Sequence, residues 1–130
     1  LSYTYLPGSN KLQKVTDAAN DSSSVLGDFK YLQKNKTDTD YVYDLNGNLI
    51  ADKNKNIINI AYNILNLPQT ITVAGKGTIT YTYDAAGNKL RKQTVEGTKI
   101  TTTLYAGGIV YENDTLRFIP HKVAFALNIK

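Results

Sequence analysis

One spelling limits what this chain can become. Tyr81–Thr82–Tyr83–Asp84 is followed by Gly87–Asn88, and Tyr41–Val42–Tyr43–Asp44 is followed by Gly47–Asn48. Two tyrosines two residues apart put both rings on one face of an extended strand. An aspartate at the strand end accepts hydrogen bonds from turn amides. The glycine permits the positive φ that a tight turn needs. Each copy therefore predicts a strand, a turn and a return strand.

Looser copies extend the pattern. Tyr3–Thr4–Tyr5 opens the chain without the acid. Tyr62–Asn63 keeps one tyrosine, with Asn63 in place of the acid and Asn66 where the glycine stood. Pro68 has no N–H to give a ladder, so it belongs at a strand start or edge. Tyr43, Tyr62, Tyr83 and Tyr105 fall 19 to 22 residues apart, and Tyr5 stands 38 residues before Tyr43. That longer interval equals about two steps of the repeat, with a marker missing near the segment NDSSSVLG, residues 20–27. Gly75–Gly77, Glu96–Gly97, Gly107–Gly108 and Asn113–Asp114 supply further reversals. Thr, Ile, Val and Tyr dominate between them, as strands require.

The expected fold is all-β: successive antiparallel hairpins joined in a twisted strip. One hairpin buries too little to stand alone, so neighbours must supply the apolar contact. The paired tyrosines are expected to pack between adjacent hairpins with their hydroxyls at the rim. Residues 1–121 form the repeats on this reading, and 122–130 form a divergent or truncated tail.

Composition closes several other routes. The chain has no cysteine, which removes disulfides, thiolate metal sites and thiol nucleophiles. Its net charge of +4 comes from 15 basic and 11 acidic residues dispersed along the sequence. Nucleic-acid binders cluster their positive charge, so no nucleic-acid partner is expected. No apolar run is long enough for a membrane helix, and Asn59, Asn63, Asn66 and Pro68 interrupt the richest stretch. The start has no signal core, and methionine is absent even at position 1. The missing methionine suggests a fragment or a processed chain, and if the material is exported its signal lies outside this chain.

The residues that carry chemistry are sparse. Asp44 and Asp84 occupy matching positions, but a catalytic carboxylate pair must converge on a substrate, and turn capping is the simpler role. His121 is the only histidine; Glu112 and Asp114 are its nearest acids in sequence. A lone histidine makes no polyhistidine metal site. The loops DLNGN and DAAGN offer too few oxygens for calcium. Gly75–Thr78 lacks the length and following helix of a phosphate loop. The sequons at Asn20, Asn35 and Asn113 are common chance matches in a chain rich in Asn, Ser and Thr. No enzyme activity, cofactor or metal is expected. Exposed tyrosines offer the alternative role, a binding face for a surface glycan or a partner protein.

The repeated units resemble the tyrosine–aspartate repeats of the Rhs/YD-repeat family. Tyr41–Asp44 with Gly47–Asn48 and Tyr81–Asp84 with Gly87–Asn88 carry the likeness most closely. Tyr3–Tyr5 with Asn10 and Leu12 looks like a worn unit. Tyr62–Asn63 with Asn66–Leu67–Pro68 is similar to the alternate unit of Bacteroidetes-type Rhs proteins. Gly107 to His121 resembles the approach to the family's core-associated region. After His121 the chain departs from that pattern and reads Lys122–Val123–Ala124–Phe125. The resemblance implies a hollow shell of β-hairpins that encloses or presents a C-terminal toxin. It also implies neighbouring repeats of the same parent protein as partners, and a secreted or cell-surface location.

Overall fold

The computed structural model describes residues 1–19, 21, 23–25, 29 and 38–118. His121, the tail 122–130 and the sequons at Asn20 and Asn35 lie outside the described residues. The fold is all-β. Its strands are β1 (Ser2–Tyr5), β2 (Leu12–Thr16), β3 (Tyr41–Tyr43), β4 (Leu49–Asp52), β5 (Ile57–Tyr62), β6 (Pro68–Val73), β7 (Gly77–Tyr83), β8 (Lys89–Glu96), β9 (Lys99–Ala106), β10 (Ile109–Glu112) and β11 (Thr115–Phe118). The chain divides into two units, Leu1–Ile60 and Ala61–Lys130.

In the first unit β1 and β2 form an antiparallel hairpin, as do β3 and β4. The β4–β5 connection is one 3-10 turn, Lys53–Lys55, with Asn56 at φ 58 ending it. Asp52 caps this turn: its Oδ1 accepts from the amides of Asn54 (3.0 Å) and Lys55 (3.2 Å). The two hairpins are direct neighbours, since the Asp40 amide donates to the Gln13 carbonyl at 2.9 Å. The missing marker expected near residues 20–27 falls in a stretch that lies largely outside the described residues. A count of spacing does not distinguish a lost repeat from an insertion, and here β2 is followed in space by β3.

The second unit is a meander in which β6 to β11 each pair antiparallel with the next. Three kinds of turn join its strands, one of them the three-residue loop 74–76 between β6 and β7, closed by Val73↔Gly77. Five-residue turns span 63–67 and 84–88. Two-residue turns occur at Gly97–Thr98, Gly107–Gly108 and Asn113–Asp114, closed by Glu96↔Lys99, Ala106↔Ile109 and Glu112↔Thr115. Positive φ at both Asn113 (47°) and Asp114 (64°) gives the turn geometry that matches strand twist. Pro68 is the first residue of β6, where its missing N–H costs no ladder bond.

Alternation sets the two faces of this meander. On β7, Ile79, Tyr81 and Tyr83 share one face, and Thr78, Thr80 and Thr82 the other. Threonines oppose one another across β6 and β7 at Thr70↔Thr80 and Thr72↔Thr78. Closed core is scarce. Among the described residues the buried apolar side chains are Val15 (4% exposed) and Ile60 (8%), both in the first unit. The strands of the second unit range from half-buried, along β7, to exposed, at Thr115–Arg117 of β11.

Candidate functional site

The candidate site is the repeated unit itself, and it is built alike in separate places. In the turn after β3, the Asp44 amide donates to the Asn48 carbonyl (2.9 Å) and the Gly47 amide to the Asp44 carbonyl (3.0 Å). After β7, the Asp84 amide donates to Asn88 (2.9 Å) and the Gly87 amide to Asp84 (3.1 Å). After β5, Asn63 and Leu67, then Asn66 and Asn63, make the same two bonds at 2.9 Å. Gly47, Gly87 and Asn66 have φ of 86°, 87° and 63°, so Asn66 does take the glycine's place. Asparagine tolerates that region better than most side chains.

Both aspartates are committed to their own turns. Oδ1 of Asp44 accepts from the Asn48 amide at 2.8 Å, and Oδ2 from the Asn48 side chain at 3.1 Å. Asp84 repeats this with Asn88 at 2.8 and 2.9 Å, and its Oδ1 also takes the Ala86 amide at 2.9 Å. Asn63 does the acid's work with its amide oxygen, accepting from Leu65 and Leu67 at 3.0 Å each. The side chain of Asn88, then its backbone amide, hold the Asp84 carboxyl below its ordinary pKa. Desolvation pushes Asp44 upward, but the bonds from Asn48, Asn46 and Gly47 together outweigh it, and its pKa also falls.

The turn before β2 is one residue longer and has Leu6 in place of the acid. The Leu6 amide donates to Lys11 (2.9 Å), the Ser9 amide donates to Leu6 (3.1 Å), and Gly8 supplies φ 67°. The Ser9 hydroxyl oxygen accepts from the Lys11 amide at 3.0 Å. A serine thus replaces part of the missing carboxylate's function.

The second tyrosine of a unit ties its hairpin to the strand before it. The Tyr43 hydroxyl donates to the Leu12 carbonyl at 2.9 Å, and Tyr83 donates to Pro68 at 2.6 Å. Leu12 and Pro68 hold the same place, each being first in the strand that follows a turn. Burial pushes the phenols of Tyr43 and Tyr83 upward in pKa. Tyr41 is also raised, by burial first; the Asn54 side chain, 3.3 Å from its hydroxyl, opposes this, and the charges of Asp52 and Asp40 add to it. Tyr81 and Tyr83 lie on one face as expected, ring centroids 6.2 Å apart and tilted by 41°.

Three features of the unit escaped the sequence. The first is an extra residue on the return strand. The register shifts between Thr4 and Tyr5, Val42 and Tyr43, and Thr82 and Tyr83, always just before the second tyrosine. Gln13, Ile50 and Leu90 are the extra residues, and such bulges turn nearby side chains. The second is a lysine after the asparagine. Lys11 Nζ lies 5.7 Å from the Tyr43 ring centroid, and Lys89 Nζ lies 4.2 Å from Tyr81 and 5.9 Å from Tyr105. These are cation–π distances. The recurring dipeptides Asn10–Lys11 and Asn88–Lys89 were the available signal. The third is Asp40, which is fully buried with no hydrogen-bond partner for either carboxyl oxygen among the described residues.

The remaining markers diverge. Tyr3 and Tyr5 are 55% and 52% exposed. Tyr62 is half-buried at the end of β5, with Ile60 in the place of a first tyrosine. Tyr105 lies on β9, but the two-residue Gly107–Gly108 turn follows it instead of the five-residue one. An open groove of about 440 Å³ runs along Tyr81, Tyr83 and Gln69, flanked by Ile64 and Leu65. No group of three or more His, Cys, Asp or Glu able to hold a metal occurs among the described residues. No helix of the described residues is long and apolar enough to cross a membrane. Comparison with models of known families, with curated proteins and with solved structures finds no match to this chain.

Proposed function

We propose that the chain is a non-enzymatic structural segment of a YD-repeat strip, of the Rhs type that its spelling resembles. In its parent protein the strip would enclose or present a C-terminal toxin or effector, at the cell surface or after secretion. The observation that carries this reading is the tyrosine tie. Tyr43 to Leu12 and Tyr83 to Pro68 are equivalent bonds between a marker ring and the preceding strand. Paired with self-contained turns at Asp44 and Asp84, they suit a lattice that extends by repetition. Carboxylates whose two oxygens both accept within their own turn act as caps. The test is protease protection within the parent polypeptide. Replacing Tyr43 and Tyr83 by alanine is expected to expose the C-terminal domain to digestion. Unchanged protection with both rings removed would overturn the reading.

A binding module is the second reading, favoured by the groove at Tyr81. Neither the Tyr81 hydroxyl nor the Gln69 side-chain amide makes a hydrogen bond among the described residues. Two half-exposed rings beside the Tyr81 hydroxyl and the Gln69 amide suit a surface glycan or a protein loop. Titration with a saccharide panel, read on Tyr81 and Gln69 resonances, separates the two roles. No shift at either residue removes the sugar version.

A further inference from the structure

Asn46–Gly47 is the one Asn–Gly pair in the chain, and it lies in the turn after β3. Asparagine is chemically labile, most of all before glycine, which has no Cβ to keep its backbone nitrogen from the side chain ahead of it. The Gly47 nitrogen gives up its proton to solvent base and attacks Asn46 Cγ. A C–N bond forms, the Cγ–Nδ2 bond breaks, and the nitrogen leaves as ammonia. Water then opens the cyclic imide. Attack at Cγ yields aspartate, and attack at the main-chain carbonyl yields isoaspartate, which adds a carbon to the backbone path.

In the closed turn the attacking nitrogen is engaged. The Gly47 amide donates to the Asp44 carbonyl at 3.0 Å, and the amides of Asn46 and Gly47 both bear on the Asp44 carboxylate. Asn46 is exposed, so bonding and not burial restrains the pair. Two charges face the Gly47 amide. The Asp44 carboxylate holds its proton, and Lys11 Nζ, from the β1–β2 hairpin, stands 3.2 Å from where a Gly47 Cβ would lie. The ammonium favours loss of that proton once the turn opens. We propose that Asn46 is a covalent modification site gated by its own turn: closed, Asp44 holds the Gly47 proton; open, the pair converts to isoaspartate. The conversion runs one way. With an added backbone carbon, the Asp44-to-Asn48 and Gly47-to-Asp44 bonds no longer share a geometry, and the turn does not reclose as before. The matching turns lack the pair, since Ala86 precedes Gly87 and Leu67 follows Asn66. The first unit thus records its own openings at a place where the second has no such chemistry.

The experiment incubates the whole chain at mildly alkaline pH and maps its peptides for the mass gained when the side-chain amide becomes an acid, with isoaspartate separated from aspartate by elution. A peptide of residues 41–52 is the open reference, since an isolated hairpin is marginal in water. The folded chain should convert at Asn46 at least about 10-fold more slowly than the peptide, because reaction requires local opening. Asp44→Ala should speed conversion about 2- to 10-fold for each net hydrogen bond it removes. Asp84→Ala deletes the equivalent cap in the second unit and should leave the Asn46 rate unchanged. Asn46→Ala copies the Asp84 turn, where Ala86 holds that place, and should abolish the product with the fold intact. Equal rates in chain and peptide, or an Asp44→Ala rate no faster than that of the unaltered chain, would overturn the proposal. So would equal acceleration by Asp84→Ala, which would place the gate in global unfolding instead of this turn.

Discussion

The Tyr83 hydroxyl donates to the Pro68 carbonyl at 2.6 Å, and the strand that carries Pro68 is the one laid down before it. One bond therefore reports whether β7 has closed on β6. Tyr83→Phe keeps the ring and deletes the donor, and should cost about 0.5–1.5 kcal/mol of unfolding free energy. Tyr83→Ala also removes the packing of a half-buried ring and should cost about 2–3 kcal/mol. Tyr43→Phe is expected to match Tyr83→Phe, because Leu12 stands where Pro68 does. Urea titrations of the three variants check this. Equal losses for phenylalanine and alanine at position 83 would mean that the hydroxyl alone matters; no loss for phenylalanine would mean that the tie is idle.

Glycine substitutions grade the turns. Gly77 has φ 151°, and an added Cβ would lie 1.8 Å from the Val95 carbonyl oxygen. Since that neighbour is backbone, the β7–β8 ladder itself must shift, and Gly77→Ala should cost more than about 3 kcal/mol. Gly87 has φ 87°, and its Cβ would meet Leu67 Cδ1 at 3.2 Å, a flexible neighbour. Gly87→Ala should cost about 1–3 kcal/mol. Gly107, at φ 59° with nothing within 4 Å, bears only the backbone penalty and should lose least. Thermal melts of the three variants give the order, and Gly77→Ala ranking below Gly107→Ala would contradict the close approach.

Acid and base should act on different parts of the unit. Asp44 and Asp84 ionise more readily in the fold than in the unfolded chain. Their contribution is complete above the unfolded aspartate value, about 3.9, and disappears as pH falls through the lower folded values. Tyr43 and Tyr83 are shifted up. Their contribution is complete below the unfolded phenol value, about 10, and is lost as pH rises through the folded values. Asp84→Asn should fold at neutral pH, since Asn63 already runs the same turn with an amide oxygen. It should flatten the acid limb of a melting-temperature profile, and Tyr83→Phe the alkaline limb. An acid limb unchanged in the Asp44→Asn, Asp84→Asn double variant would place the acid sensitivity elsewhere.

Much of this architecture was legible because its signals are local. Period-two tyrosines, the acid and the glycine act within five residues, so Asp84, Gly87 and even Asn66 could be placed from spelling. The partner carbonyls of Leu12 and Pro68 were not legible, because a backbone oxygen has no letter of its own. Nor were the extra residues Gln13, Ile50 and Leu90, which carry no glycine to mark them. The interval between Tyr5 and Tyr43 has the length of a lost repeat; β2 and β3 meet directly through Gln13 and Asp40, and most of residues 20–37 lie outside the described residues. Tyr105 has a marker's spacing but a different turn, since Ala106–Gly107–Gly108 favours a two-residue reversal.

Asp40 is the place where local spelling and packing disagree most. Thr-Asp-Thr-Asp, residues 37–40, reads as a polar loop, yet Asp40 is fully buried at the junction of two hairpins. Its backbone is well used: the amide donates to Gln13, and the carbonyl accepts from Lys53, both at 2.9 Å. Those two bonds fix the residue in place and bring the side chain inside with them. Neither carboxyl oxygen finds a donor among the described residues. A buried polar group without a partner costs about 1–3 kcal/mol, and apolar groups of similar volume avoid the penalty. Asp40→Leu keeps both backbone bonds and is expected to raise the unfolding free energy by about that amount. Asp40→Asn leaves polar atoms unsatisfied and should recover less. Urea titrations of the pair decide the matter: a loss of stability in Asp40→Leu would show that the carboxyl is engaged by a donor or a cation beyond the described residues, and that its burial serves binding instead of opposing the fold.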